Sequence, residues 1–291
     1  MKKILITGAN SYVGTSLEKY LNKFSDLYSV DTIDMIDGSW RNVSFSDYDV
    51  VFHVAGIAHN DISKLDDEAI KLYKTVNTDL TIETAEKAKS DGVGQFIFMS
   101  SMIVYGDSAP IGKDKTIYKD TVPEPSNFYG RSKLEAEKGI EALNCDNFKV
   151  VILRPPMIYG NESKGNYPVL SKFARKFPFF PNVKNKRSML FIGNLCEFVK
   201  IMIDKEEKGI FFPSNKEISV TSLLVKEIAK SHGKRLFLIK GFSWLFRLFA
   251  PILPVINKVF GNLVYDHAIT DYPVEYRLFT LEESIKETEK A

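Results

Sequence analysis

The run Lys3 Ile4 Leu5 Ile6 Thr7 Gly8 Ala9 Asn10 Ser11 Tyr12 Val13 Gly14, followed by Leu17, Tyr20, Leu21 and Phe24 at helical spacing, decides the fold. Its apolar start reads as a short buried strand, the glycines as a turn, and the residues beyond as a helix with one apolar face. A turn of this kind points backbone N–H groups out of the positive end of the helix dipole, which suits a pyrophosphate. Gly8 permits the tight turn and Gly14 a close approach of helix to strand, with Asn10, Ser11, Tyr12 and Val13 as the backbone cradle between them. Ser11 stands where a further glycine is expected. Its N–H can still face a phosphate and its hydroxyl can bond one, although its Cβ widens the approach.

Outward from this turn the same rhythm continues, with strand-like Ser29–Ile33, Asp49–Val54, Gln95–Ser100 and Lys149–Leu153 separated by helical patterns over Glu68–Ser90 and Asn127–Leu143. Val50 Val51 Phe52, Phe96 Ile97 Phe98 and Val150 Val151 Ile152 Leu153 are continuous apolar runs, as parallel strands covered on both faces require. The expected class is α/β: a Rossmann-type, doubly wound parallel sheet with a smaller C-terminal substrate lobe. Residues 1–160 are assigned to the dinucleotide-binding domain. A strand and helix within 187–204 return to it, and residues 161–186 and 205–291 make up the lobe.

An acid at the end of the second strand, about 20 residues past the glycines, would bond the adenosine ribose hydroxyls. Asp34 fits, with Asp31 as the fallback. Either carboxylate favours NAD over the 2′-phosphate of NADP, and Arg41 keeps NADP open. Tyr129 and Lys133 fall at i and i+4 of the helical pattern and share a face. A phenol near pKa 10 is a poor base at neutral pH unless a cation stabilises the phenolate, and Lys133 with an oxidised nicotinamide would do so. Proton exchange with a sugar or steroid hydroxyl then becomes feasible.

The 39 basic and 37 acidic residues leave a net charge of +2, which gives no general reason to expect nucleic acid as a partner. Cys145 and Cys196 are far apart and in no metal-like spacing, so no metal site is expected, and two buried, inert thiols suit a reducing, cytoplasmic compartment. The N-terminal apolar run is too short for a signal-peptide core. Phe242–Phe260 is dense in aromatic and aliphatic residues, but Arg247, Lys258, Pro251 and Pro254 interrupt it. No transmembrane helix is expected there; it reads as lobe core, with contact to a membrane surface as the other option.

The glycine turn, Asp49–Gly56, Met99–Gly106, Tyr129–Lys133 and Arg154–Gly160 occur in an order and spacing that resembles the nucleotide-sugar epimerase/dehydratase branch of the extended short-chain dehydrogenase/reductase family. The likeness covers roughly residues 1 to 200. It implies that Ser101 bonds the reacting sugar oxygen, that Tyr129 is the acid/base, and that Lys133 bonds the nicotinamide ribose while lowering the Tyr129 pKa. It also implies that Ser100, Ala55, Gly56 and Pro155, with its neighbour Pro156, lie beside the cofactor, and that Asn77 braces the site. His53 reads as a core or supporting residue. Arg187 matches an arginine placed on the nucleotide diphosphate, Asn166 lies in a loop where such contacts are common, and Arg277 is a further phosphate candidate.

Three reactions share this scaffold: 4-epimerisation with tightly held NAD, 4,6-dehydration, and reduction of a keto-sugar by an exchangeable cofactor. Dehydratases of this kind carry an Asp-Glu pair directly after the catalytic hydroxyl, because elimination needs an additional acid and base. Met102 and Ile103 stand there. The expectation is an NAD-dependent 4-epimerase acting on a UDP-hexose or UDP-N-acetylhexosamine through a 4-keto intermediate, with a nucleotide-linked keto-sugar reductase as the alternative. A non-catalytic dinucleotide-binding regulator is the third possibility, disfavoured because Tyr129 and Lys133 are both retained. The resemblance further implies a homodimer and a setting in polysaccharide precursor synthesis.

Overall fold

A computed structural model describes residues 1–57, 66–241 and 254–290 of the 291. Its central sheet has six strands: β1 (Lys2–Thr7), β2 (Tyr28–Ile33), β3 (Val50–His53), β4 (Gln95–Met99), β5 (Lys149–Leu153) and β6 (Gly209–Phe211). They lie in the order β6-β5-β4-β3-β1-β2, and every pairing is parallel. The order reverses at β1, since β2 lies on one side of it and β3 on the other. In open parallel sheets ligands bind at such a reversal, outside the carboxyl ends of the strands. The glycine turn leaves β1 at that point.

Register explains why the apolar runs are continuous. Leu5 pairs with Val51, Val51 with Phe96, Phe96 with Val150, and Phe98 with Ile152. These side chains form one buried layer with Ala85, Ala88, Ala136 and Ile140 from the helices α3 (Leu80–Ser90) and α4 (Phe128–Glu141). Their sequence neighbours Ile4, Val50, Phe52, Ile97 and Val151 are buried on the other face. Each fully buried aliphatic or aromatic side chain contributes roughly 1.5–3 kcal/mol, so covering both faces supplies much of the unit's stability.

The helix α1 (Tyr12–Leu21) follows the turn, while the expected Glu68–Ser90 helix is interrupted. Asp67–Tyr73 forms α2, Lys74–Asp79 one turn of π-helix, and α3 continues from Leu80. Such a bulge inserts an extra residue into the helical ladder and often occurs at functional positions.

The chain divides into two compact units: residues 1–106, 122–155 and 196–212, and residues 107–121, 156–195 and 213–291. These bounds differ from those read in the sequence. Met189–Phe191 pairs with Met157–Tyr159, not with the six-stranded sheet, so the chain rejoins the first unit only at Cys196. The edge strand β6 extends that return to Phe212. Thr116–Ile117 pairs with Val264–Tyr265, which draws residues 107–121 into the second unit. That unit has its own core, with Tyr159, Tyr167, Phe180, Phe191, Val225, Ile228 and Ile285 among its buried side chains.

Cys196 is buried, as expected, and its thiol is pushed up to about 12 by desolvation; Cys145 is exposed, because it closes a tight turn with Phe148 just before β5. Residues 242–253 of the aromatic-rich segment lie outside the described residues, and Pro254–Phe260 is a helix. Among the described residues no helix is long and apolar enough to cross a membrane.

Gly8 has φ +94°, and a Cβ there would lie 2.8 Å from the Ala55 backbone nitrogen. Gly92 has a similar φ of +87° with nothing within 4 Å of the same added atom. Gly92→Ala is therefore expected to cost about 1 kcal/mol from backbone conformation alone. Gly8→Ala should cost clearly more, because a fixed backbone atom must also move. Urea unfolding of the two variants separates the contributions, and equal losses would contradict the close approach.

Candidate active site

The turn after β1 is held from several sides. The N–H groups of Gly8 and Ala9 both donate to the Ile33 carbonyl at the end of β2, at 2.9 and 3.1 Å. Asn10 takes the left-handed conformation at φ +66°. Ser11 caps α1: its Oγ accepts from the Gly14 N–H at 3.1 Å, which leaves the hydroxyl hydrogen free to donate outward. A Cβ on Gly14 would lie 2.6 Å from that Oγ and 3.2 Å from Ile6, so glycine there allows the cap and the close packing together. The N–H groups of the first helical turn, including that of Val13, have no carbonyl within the helix to donate to. This is an anion-binding arrangement.

Asp34 immediately follows β2 and is exposed, with Oδ1 accepting from the Ile36 N–H at 2.8 Å. Asp31, the fallback, accepts instead from the Tyr48 hydroxyl at 3.1 Å. Arg41 is tied to the Glu83 carboxylate through Nε and Nη2 and stacks over Trp40 at 4.7 Å. These contacts occupy the cation that kept NADP open.

Past the carboxyl ends of β3 and β4 the side chains most suited to proton transfer come together. Asn127 caps α4 by accepting from the Gly130 N–H at 2.8 Å, placing Tyr129 in the first turn. Gly130 allows this helix to pack tightly, since a Cβ there would lie 2.9 Å from the Ile103 carbonyl. This brings the Tyr129 phenol close to Ser101, which begins the 3-10 turn Met102–Tyr105. The Tyr129 phenol is pushed up to about 12, chiefly by desolvation, with the nearby Ser101 hydroxyl acting the other way. The buried ring of Tyr73, whose hydroxyl has no hydrogen-bond partner among the described residues, lies 6.2 Å from the Tyr129 ring.

One turn further along α4, Lys133 is 5% exposed. Its ammonium donates to the Met99 carbonyl at 3.0 Å and lies 4.6 Å from the centre of the Phe98 ring, with no carboxylate in ion-pair reach among the described residues. Burial pulls its pKa from 10.5 down to about 8, partly opposed by Glu137. An ammonium has three donors, and glycine lets the opposite wall approach it closely: a Cβ on Gly56 would come within 3.3 Å of Nζ and 3.0 Å of the Asn77 Oδ1. A ribose hydroxyl suits such a donor. With the phosphate turn and Asp34, this set fits a dinucleotide.

Asn77 lies in the π turn and is fully buried. Its amide clasps the Ile57 backbone, accepting from N–H at 2.9 Å and donating to the carbonyl at 3.1 Å, and also donates to Ser132 Oγ. His53 is its indirect support. Thr81 Oγ1 donates to the Asn77 carbonyl, so it can only accept from His53 Nε2–H, leaving Nδ1 to accept from Thr7. Burial holds the imidazole pKa down to about 3, and the ring is neutral. A core role was the expectation for this histidine.

Ser100 is buried, and its hydroxyl donates to Glu137 instead of facing outward from the strand end. Glu137 itself went unnoticed in the sequence. It forms a bidentate pair with Arg154, Nη2 to Oε2 at 2.6 Å, and Arg154 also donates to the Tyr105 hydroxyl at 2.7 Å. The signal was its place four residues after Lys133 on the same helix face. Ala55 and Pro155 are buried, and the Pro155 carbonyl accepts from the Met102 N–H.

Within the second unit, Asn166 and Arg187 line one small cleft with Ser219, Thr221 and Lys258. The Ser219 hydroxyl is buried there without a partner among the described residues. Arg277 is not brought to it: its guanidinium is spent on the carbonyls of Ser214 and Thr270 and on Asp271.

The sequence profile described as "NAD dependent epimerase/dehydratase family" matches residues 4–212. A UDP-glucose 4-epimerase from Vibrio cholerae is 32% identical over 319 residues, spanning 100% of this chain and 95% of its own. The N-acetyl-alpha-D-glucosaminyl-diphospho-ditrans,octacis-undecaprenol 4-epimerase of Escherichia coli O157:H7 is 28% identical across 80% of this chain and 73% of its own. The crystal structure of UDP-glucuronic acid 4-epimerase from Bacillus cereus in complex with NAD superposes with a TM-score of 0.73 at 20% identity, covering 98% and 96% of the two chains. At that identity the superposition speaks for the fold alone.

Two substitutions probe this interior. Glu137→Ala removes the only carboxylate paired with the buried Arg154 among the described residues, and should lower stability by about 3–5 kcal/mol in urea unfolding; a loss below 1 kcal/mol would mean the pair is solvated. The Lys133 pKa is lower folded than unfolded, so between about pH 8 and its ordinary value the unfolded chain binds more protons and stability rises with pH. The ammonium's burial penalty is present in full below that window. Lys133→Met should therefore stabilise the protein at neutral pH by on the order of 1–3 kcal/mol, and remove the rise. Parallel curves for variant and parent from neutral to alkaline pH would contradict the burial of this charge.

Proposed function

The chain belongs to the NAD dependent epimerase/dehydratase family, and from that premise we propose that it interconverts the C4 epimers of a UDP-hexose or UDP-N-acetylhexosamine through a 4-keto intermediate, with NAD as its cofactor. The observation that carries this reading is the Tyr129 phenol brought close to Ser101, with the buried Lys133 ammonium one turn along the same helix. Next to Ser101 stand Met102 and Ile103. The pair of extra acids that dehydration requires is missing from that position, and epimerisation needs none.

The turn from Gly8 to Gly14 would hold the pyrophosphate on Asn10, Ser11, Tyr12 and Val13, Asp34 the adenosine ribose, and Lys133 the nicotinamide ribose. Ala55, Gly56 and Pro155 would line the cofactor's path. The nicotinamide, when bound, supplies a reversible hydride acceptor for C4. Tyr129 takes the proton from the O4 hydroxyl and returns it, and Ser101 holds that oxygen in line. The Lys133 ammonium makes proton loss from a desolvated phenol affordable by its charge. Asn166 and Arg187 are the residues we assign to the nucleotide diphosphate. A homodimer and a cytoplasmic location complete the reading and are supported by the family resemblance and the cysteine content.

Tyr129→Phe should reduce turnover of UDP-glucose or UDP-N-acetylglucosamine by about 10²–10⁴-fold, while NAD released from the denatured protein stays at its parent stoichiometry. Turnover should also fall as pH rises through about 8, where Lys133 loses its proton. Unchanged turnover in the variant would remove Tyr129 from the reaction. A protein that acts on keto-sugars only with added NADH or NADPH would be the reductase instead.

A further inference from the structure

The helix Asn166–Lys176 ends at a short parallel ladder in which Phe179–Pro181 pairs with Phe237–Ile239, Phe237 level with Phe179. The ladder turns large apolar side chains outward. Phe179 and Phe237 are 52% and 59% exposed, and Phe177 and Ile239 are exposed beside them. The rings are not scattered: Phe179 and Phe237 lie 6.0 Å apart, and Phe177 packs on Phe173 at 4.6 Å. A cluster of this kind marks an interaction surface, whereas single exposed apolar residues do not.

Around it stand Arg175, Lys176, Lys234, Arg235 and Lys240, all exposed, with the Lys234 ammonium bonded to the Arg175 carbonyl so that the two segments are stitched together. Neither Leu170–Arg187 nor Ser231–Gly241 contains an aspartate or glutamate. A chain of net charge +2 thus gathers positive charge around its exposed aromatic cluster. We propose that this patch docks the protein on an anionic bilayer surface, the four apolar side chains entering the boundary between headgroups and acyl chains and the cations meeting lipid phosphates. Apolar residues ringed by lysine and arginine are what such an interface selects. A second copy of the chain would set like charges against each other across a twofold axis. Duplex nucleic acid, its bases already stacked, would use the cations but leave the phenyl rings without a role. In sequence the chain continues from Gly241 through Phe242, Trp244, Leu245, Phe246, Arg247 and Leu248, a composition of the same kind.

The proposal is independent of the reaction. Its test is flotation of the full chain with vesicles of phosphatidylcholine alone and of phosphatidylcholine containing about one third phosphatidylglycerol, at ~0.1 M salt and at ~1 M. The protein should float with the anionic vesicles at low salt, and not with the neutral ones. Each cation near an anionic surface raises partitioning about fivefold, so Lys176→Glu with Arg235→Glu should lower it more than tenfold. Phe179→Ser with Phe237→Ser should also lower it; the charge pair should keep the parent thermal midpoint, and the Phe pair should stay folded with a modestly lower one because its rings are half-exposed. No flotation of the parent protein would overturn the proposal, as would flotation that both variants retain. Binding to single-stranded DNA and to vesicles that is lost together on charge reversal, and is untouched by the Phe changes, would make the patch a general polyanion site instead. The salt titration of the parent gives its answer without any substitution.

Discussion

The arrangement of the first unit depends on one costly act, the burial of the Lys133 ammonium against the carboxyl end of a parallel sheet. A lone cation in that position is unfavourable, and the surrounding structure is what makes it tolerable. The Met99 carbonyl and the face of Phe98 are its immediate partners, both from β4, and the Glu137 carboxylate holds its place one turn behind. Glu137 would itself be an uncompensated charge without Arg154, and Arg154 uses a further donor on Tyr105. One buried charge is therefore backed by a second, paired set of buried charges, and β4, β5 and α4 are locked together to supply it.

A second chain of contacts runs from the turn after β1 toward the same lysine. Thr7 donates to His53, His53 to Thr81, and Thr81 to the Asn77 carbonyl, while the Asn77 amide clasps Ile57 and Ser132. Each donor in this path is used once and none is charged, since burial keeps His53 neutral. Neutral relays of this kind fix position without the desolvation cost of ions. The wall opposite Lys133 is thus positioned by the same strand that carries the glycine turn.

Much of this was legible in the residues. Continuous apolar runs marked the parallel strands, and the residue directly after β2 is Asp34, where a ribose-binding acid was sought. The i, i+4 spacing brought Tyr129 and Lys133 onto one face of α4. Other features could not be read locally. Glu137 sits among Glu135, Lys138 and Glu141 and looks like part of a solvated helix face; its burial follows from a partner 17 residues away that joins it only in the folded state. The division into units depends on pairings such as Met157 with Met189, between segments too short to announce their partners. Arg187 and Arg277 look alike as isolated arginines, yet one lines a cleft and the other is consumed by carbonyls.

The π turn over Lys74–Asp79 has a consequence for how this sequence can vary in length. A regular α-helix through the same segment would be one residue shorter, and on propensity and hydrogen bonding alone that deletion would be an improvement. It would also rotate one side of the helix relative to the other by about 100°, and the amide of Asn77 could not keep both Ile57 and Ser132. Substitutions along α2 and α3 are ordinary events for a helix surface, whereas a single-codon loss between Tyr73 and Leu80 would leave a better helix attached to a broken clasp. Length, more than residue identity, is the property this stretch must conserve.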